Sequence, residues 1–209
     1  MKSKNMEISV SLDPAMPDKY KDYLKKVNKQ KDIDSIHLDV MDGDFVPRRS
    51  ADDFAVVDYI LANTEMPIDV HFMVATPAMF VALNIKKAFR SITIQYESTN
   101  PGMLKPLLAK IKEYGKQAGI AIDLDTPVAD VCPEIITQCD TITIMSVKAG
   151  ASGQSFNPSA LEKIGALKKI NPNLHIIVDG GINFKNKELV SQAGANIAVM
   201  GSAMYKELN

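Results

Sequence analysis

The chain of 209 residues contains no tryptophan and only two cysteines, Cys132 and Cys139. With no metal-ligand partners near either in the sequence, they read as reduced thiols of a cytosolic protein. An excess of one charge is missing too. The 24 lysines and arginines against 25 acidic residues leave a net charge of −1. No basic surplus points to nucleic acid, and no polybasic or lipidation signal points to a membrane. No apolar run approaches the length of a membrane span. The opening MKSKNMEISVSL lacks the apolar core of a secretory signal. A cytoplasmic protein is expected, with neither nucleic acid nor membrane among its partners. No G-x-G-x-x-G motif follows the first strand-like run, which argues against a dinucleotide fold. No linker-like or low-complexity stretch interrupts the chain, so residues 1–209 read as a single domain.

What is present is an alternation. Short apolar runs recur: EISVSL (7–12), SIHLDVM (35–41), IDVHFMV (68–74), SITIQYE (91–97), GIAIDL (119–124), TITIMSV (141–147), HIIVDG (175–180) and NIAVMG (196–201). They are rich in β-branched residues and bounded by turn formers, as strands are. Helix-like segments separate them, such as 101–116 and 158–170. In the latter, Leu161, Ile164 and Leu167 fall three apart, the spacing of one helix face. Pro101 and Pro158 suit first-turn positions, and Gly119 and Gly194 suit C-terminal caps. Right-handed crossovers between parallel strands leave an open doubly wound sheet or a closed barrel. Eight units favour closure, so the expected α/β fold is a single (β/α)8 TIM barrel with a brief last helix.

In such a barrel the C-terminal strand ends carry the chemistry. Side chains alternate along a strand, so His37, Asp39 and Met41 share a face, as do Asp69, His71 and Met73. Asp179 closes the seventh run. If these faces point inward, two imidazoles and two carboxylates converge. Buried carboxylates are costly unless paired or metal-bound, and two His with two Asp can ligate Zn2+, Mn2+ or Fe2+. Each residue alone reads more simply as a satisfied structural group; four of them on three strand ends favour a metal. His175 begins its strand and reads as structural. Asp69 either supports the ligands from behind or belongs to a lower polar layer. The DGGIN (179–183) and GSAM (201–204) loops follow the last two runs, where barrels bind phosphate through backbone N–H groups. The loop KAGASGQSF (148–156) offers further donors, with Gly150, Gly153 and Gln154 expected at the substrate.

The stretches ISVSL, HLDVMDGDFVP, DVHFMV, IMSV followed by GQSF, VDGGI and GSAM resemble the ribulose-phosphate 3-epimerases over nearly the whole chain. The resemblance implies a (β/α)8 barrel that binds one divalent metal ion (Zn, Fe, Mn or Co) and inverts C3 of a ketose phosphate. It implies metal ligation by His37, Asp39, His71 and Asp179, with Asp39 and Asp179 as the acid–base pair. Ser11, Met41 and Met73, with His71, are then expected at the substrate, and Gly180, Gly181, Gly201 and Ser202 at its phosphate. Members are often dimers or hexamers, so a homo-oligomer is expected. The chemistry suits this donor set. Epimerisation beside a ketone needs a C–H proton removed from one face and returned on the other, which two carboxylates can share.

The chain departs from the family pattern at several places. FVP continues as FVPRRSADD rather than with Asn and a Thr- and Gly-containing turn. Gln95-Tyr96-Glu97 stands where His-x-Glu is usual. Lys148 to Gln154 replaces a segment with an aromatic lid residue, leaving Ala151. A smaller lid residue should seal the site less well, and Arg48, Arg49 and Lys148 can add positive charge near a sugar phosphate. D-ribulose 5-phosphate is the favoured substrate and D-allulose 6-phosphate its rival. A decarboxylase-like barrel would carry Asp-x-Lys where this chain has Asp39-Val40-Met41-Asp42. A diverged barrel that only binds a sugar phosphate is the non-enzymatic alternative.

Overall fold

The computed structural model describes residues 6–51 and 54–209. Asp52 and Asp53, at the end of the departing FVPRRSADD stretch, and the first five residues of the opening segment lie outside the described residues. The strands are β1 (Glu7–Ser11), β2 (Ser35–Asp42), β3 (Arg49–Ser50), β4 (Ile68–Met73), β5 (Ser91–Gln95), β6 (Gln117–Ile122), β7 (Thr141–Met145), β8 (His175–Asp179) and β9 (Ile197–Met200). The helices are α1 (Tyr20–Val27), α2 (Phe54–Ala62), α3 (Pro77–Asn84), α4 (Pro101–Glu113), α5 (Pro133–Gln138), α6 (Ser159–Ile170), α7 (Lys187–Ala193) and α8 (Ser202–Leu208).

Eight of the strands pair in parallel, in the order β1-β9-β8-β7-β6-β5-β4-β2, and a further pairing of β1 with β2 closes the ring. The fold is therefore the expected (β/α)8 barrel. Each of the eight expected runs forms a barrel strand, and α8 is brief at seven residues. The two-residue β3 was not expected. It turns back antiparallel onto the end of β2, pairing Met41 with Ser50.

Helix ends follow local chemistry. Pro101 lies in the first turn of α4, and the Asn100 side chain accepts a hydrogen bond from the Met103 N–H at 3.1 Å. Pro158 immediately precedes α6. Gly194 ends α7 with φ 107°, a left-handed conformation that glycine adopts without a Cβ penalty. Gly119 corrects the other expected cap. The glycine that follows α4 is Gly115, with φ +73°, whereas Gly119 lies inside β6. A Cβ on Gly119 would come within 2.3 Å of Thr141 Oγ1 and 3.1 Å of Thr93 Oγ1, so it is small because the threonines paired with it on β7 and β5 fill that space.

The strand period of two divides the interior into two regions. Ile36, Leu38 and Val40 of β2, with Val70 and Phe72 of β4, join Tyr23, Leu24, Ile60 and Leu108 of the helices in the main apolar core. Of the alternate residues, Ser9, Ser35, Thr93, Thr141 and Thr143 are buried but polar, whereas Ile177, Ile197 and Val199 of β8 and β9 form a small apolar cluster. At the lower end, Arg90 Nε donates to Asp69 Oδ1 at 2.9 Å, Ser91 Oγ donates to the same atom at 2.7 Å, and Arg90 Nη1 reaches Glu7 Oε2 at 3.1 Å. Asp69 thus belongs to a lower polar layer. No described helix is long and apolar enough to cross a membrane.

Candidate metal centre and active site

The upper end of β2 and the adjoining β4 build the first half of the site. Their register sets Asp39 beside His71 and Met41 beside Met73. Asp179, the last residue of β8, comes from the far side of the ring. Among the described residues, one group of potential metal ligands converges. One atom each from His37, Asp39, His71 and Asp179 lie within 4.8 Å of one another. His37 Nε2 is 3.2 Å from Asp39 Oδ1 and 3.6 Å from Asp179 Oδ2, and His71 Nδ1 is 3.3 Å from Asp39 Oδ1. Both imidazoles are buried beneath the two carboxylates, and only the carboxylates reach the cavity above.

The cluster is strongly polarised. Burial alone would lower the His37 pKa, but Asp39 and then Asp179 raise it to about 9. Burial would raise that of Asp39, yet His37 and His71 hold it well below the usual carboxylate range. Asp179 goes the other way, pushed up to about 6 by burial and the neighbouring Asp39 charge. Two acids on one cavity are therefore driven to opposite proton affinities.

The cavity, about 600 Å3, opens at the C-terminal mouth of the barrel and is lined by Ser11, Asp39, Met41, Met73, Gly150, Gly153, Gln154, Asp179, Gly180, Gly181, Gly201 and Ser202. Ser11 Oγ donates to Asp39 Oδ2 at 3.3 Å. Met41 and Met73 pack with Val46, Phe45 and Ala149 into a small apolar wall. Gly180 and Gly181 have φ of +112° and +64°. A Cβ on Gly181 would lie 2.2 Å from the Phe156 backbone nitrogen, so the chain itself occupies the space a side chain would need. Gly150 has φ +97° and rests on Val46. The side-chain amide of Gln154 donates to the carbonyls of Lys148 and Ala151 at 2.7 and 2.8 Å, stapling its own loop.

Of the basic residues expected here, Arg48 is turned aside. Its Nη1 lies 2.5 Å from Asp13 Oδ2, which Ser50 also holds through Oδ1 at 3.0 Å. Arg49 packs against Gly43. The cations lining the cavity are Lys148, Lys185 and Lys206, all exposed, and the exposed aromatic side chain of Phe184 joins them.

Sequence reasoning missed Ser146. Its backbone N–H and Oγ both donate to the Asp179 carbonyl, at 2.7 and 2.9 Å, and Oγ also reaches the Gly180 carbonyl at 2.5 Å. Ser146 lies within the IMSV stretch, but because it acts on backbone atoms of another strand its role could not be read there. Asp42 was readable as a turn residue before Gly43. Its Oδ1 accepts the N–H groups of Asp44 and Phe45, both at 3.0 Å, and its Oδ2 accepts that of Ala75 at 2.8 Å. Those bonds, working against burial, lower its pKa. Phe184 and Lys185 lie in the loop after β8 and Lys206 on α8, none of them within a motif.

Fold and site together define a (β/α)8 barrel with a His and Asp cluster at the end where such barrels carry their chemistry. Comparison with known proteins names the family. The model of the Ribulose-phosphate 3 epimerase family matches residues 7–205. A ribulose-phosphate 3-epimerase of Synechocystis sp. is 36% identical, over 99% of this chain and 90% of its own. That of Bacillus subtilis is 34% identical over 88% of each. The chain belongs to the ribulose-phosphate 3-epimerase family and is therefore an isomerase. Among solved structures, the tryptophan synthase α-subunit of Pyrococcus furiosus superposes with a TM-score of 0.69, covering 96% of this chain and 89% of that one, at 15% identity. That likeness is one of fold alone.

Proposed function

We propose that this chain, acting as one barrel domain, is a metal-dependent 3-epimerase that interconverts D-ribulose 5-phosphate and D-xylulose 5-phosphate. The observation that carries the reading is the convergence of Asp39 and Asp179, from β2 and β8, on one cavity above His37 and His71.

The donor set fits a divalent ion such as zinc, iron, manganese or cobalt. His71 Nδ1 is buried with no hydrogen-bond partner, yet it faces Asp39 Oδ1 at 3.3 Å. A cation bound between that nitrogen and the carboxylate oxygen would satisfy both. A divalent cation held by His37, Asp39, His71 and Asp179 supplies Lewis-acid stabilisation of negative charge developing on the substrate oxygens. The chain's own groups do the rest. Asp39 and Asp179 are the proton carriers. One takes the C3 proton from one face of the sugar and the other returns a proton to the opposite face, their roles exchanging in the reverse direction. Ser11 holds the Asp39 carboxylate in place, and Ser146 fixes the end of β8 on which Asp179 sits. Met41 and Met73 give an apolar lining that excludes water. The backbone at Gly180, Gly181, Gly201 and Ser202 receives the phosphate, with Gly150, Gly153 and Gln154 covering the sugar.

A six-carbon substrate, D-allulose 6-phosphate, is the second reading. Ala151 in place of an aromatic lid residue leaves the cavity less closely covered and favours a longer sugar. The test is an assay of the purified, metal-loaded protein on both ketose phosphates. Turnover of D-ribulose 5-phosphate is the expected result. Activity on the six-carbon sugar alone would replace the substrate, and no turnover of either would leave a barrel that only binds sugar phosphates.

A further inference from the structure

We propose that Gln95 is a positioning residue that fixes the tautomer of His71 and so selects Nδ1 as the nitrogen facing the candidate metal centre. The inference rests on the reading of the cluster as a metal centre. Gln95 ends β5 and is fully buried. Its Nε2 donates to Glu97 Oε2 at 2.5 Å, and its Oε1 lies 2.8 Å from His71 Nε2.

Polarity in this chain of bonds is set at Glu97. A carboxylate only accepts, so the amide NH2 of Gln95 must face it. The opposite end of the amide, Oε1, then faces His71 and can only accept. His71 Nε2 must therefore carry the proton. A neutral imidazole has one N–H, which leaves the lone pair on Nδ1, 3.3 Å from Asp39 Oδ1.

Glu97 is itself anchored from the loop that follows β6. Its other oxygen, Oε1, accepts the Asp123 N–H at 3.0 Å. Lys163 of α6 clamps that loop by donating to the carbonyls of Asp123 and Leu124, both at 2.6 Å. Thus a ligand on β4 is oriented by groups drawn from β5 and the β6 loop. His37 has no such device: its Nδ1 is buried without a hydrogen-bond partner. An amide at position 95 donates through one end only, so the arrangement admits one His71 tautomer. Groups that orient a ligating histidine typically change metal affinity by roughly 10–100-fold when removed.

The test has two parts. The first is 15N NMR of the metal-free parent with labelled histidine, at mildly alkaline pH. The His71 proton is expected on Nε2; finding it on Nδ1 overturns the inference whatever the metal data show. The second is Mn2+ affinity by equilibrium dialysis. Gln95→Leu should bind roughly 10–100-fold more weakly than the parent. Gln95→His should stay near the parent, because a ring there can accept from His71 and donate to Glu97. Parent-like Mn2+ affinity in a folded Gln95→Leu also overturns the inference. If Gln95→Leu does not fold, the parent spectrum and Gln95→His decide the matter, and loss of affinity in a folded Gln95→His counts against it. A parent that binds no Mn2+ brings down the metal reading and this inference together. A parent that binds Mn2+ with its His71 proton on Nδ1 brings down the inference alone.

Discussion

Asp39 is the residue on which the site turns. Its Oδ1 lies within 3.3 Å of a nitrogen on each of His37 and His71, and its Oδ2 accepts from Ser11. Asp179 shares the cavity but is pushed toward its protonated form. Asp39→Asn and Asp179→Asn should each fold and each lose roughly 10²–10⁴-fold in kcat, as expected when a proton carrier is removed. Steady-state rates, with circular dichroism as the folding control, check this, and parent-like turnover in either variant would dismiss the two-carboxylate assignment. His37 leads to a second expectation, for the metal-free protein. The neighbouring Asp39 and Asp179 carboxylates raise its pKa in the folded chain to about 9, above the 6.5 of an ordinary imidazole. A raised pKa stabilises fully below the unfolded value and loses that stabilisation as pH climbs through the folded one. The melting temperature of chelated protein should therefore fall between about pH 6.5 and 9, and His37→Gln should flatten that fall. An equally steep fall in the variant would show that another group is responsible.

The loop after β8 is where the proposed phosphate contact can be tested at the scale of one element. Gly180 and Gly181 were legible as a phosphate turn because two glycines after a strand admit backbone that no side chain can. The structure adds the neighbour, the backbone at Phe156, against which Gly181 is packed. Gly181→Ala should raise KM for the sugar phosphate and cost on the order of 1 kcal/mol or more, since both the positive φ and the close backbone oppose a Cβ. Gly165, in α6 with nothing within 4 Å of its would-be Cβ, is the control. Gly165→Ala should stabilise by about 0.5–1 kcal/mol without changing KM. Denaturant melts and substrate titrations of the pair check both, and equal effects of the two would disconnect the turn from binding. Gly119 shows what element-level reading cannot see. A glycine near a helix end looks like a cap, and only Thr93 and Thr141, beside it on the neighbouring strands, explain it.

In the molecule as a whole, chemistry and stability occupy opposite ends. The cluster and its cavity lie at the C-terminal mouth, whereas Arg90 ties Asp69 of β4 to Glu7 of β1 below. Arg90→Met would leave the buried Asp69 carboxylate without its cation, at a cost of about 3 kcal/mol. Well below the melting temperature, kcat and KM should remain those of the parent. Thermal denaturation and kinetics on one preparation separate the two effects, and a changed KM would show that the lower layer communicates with the mouth. Removal of metal, by contrast, should abolish turnover while leaving the lower layer and most of the stability in place.

The barrel and half the site could be read along the chain. Eight apolar runs with helix signals between them called for eight parallel units, and a period of two placed His37 and Asp39 on one face of their strand. Such features are local: they depend on residues a few positions apart. Closure of the ring, which brings Asp179 of β8 to His37 of β2, is not local, and neither are the hold of Ser146 on the end of β8, the pairing of Asp69 with Arg90, or the approach of Gln95 to His71. Those partners come from separate strands and loops, and the stagger of neighbouring strands as the sheet closes determines which of them meet.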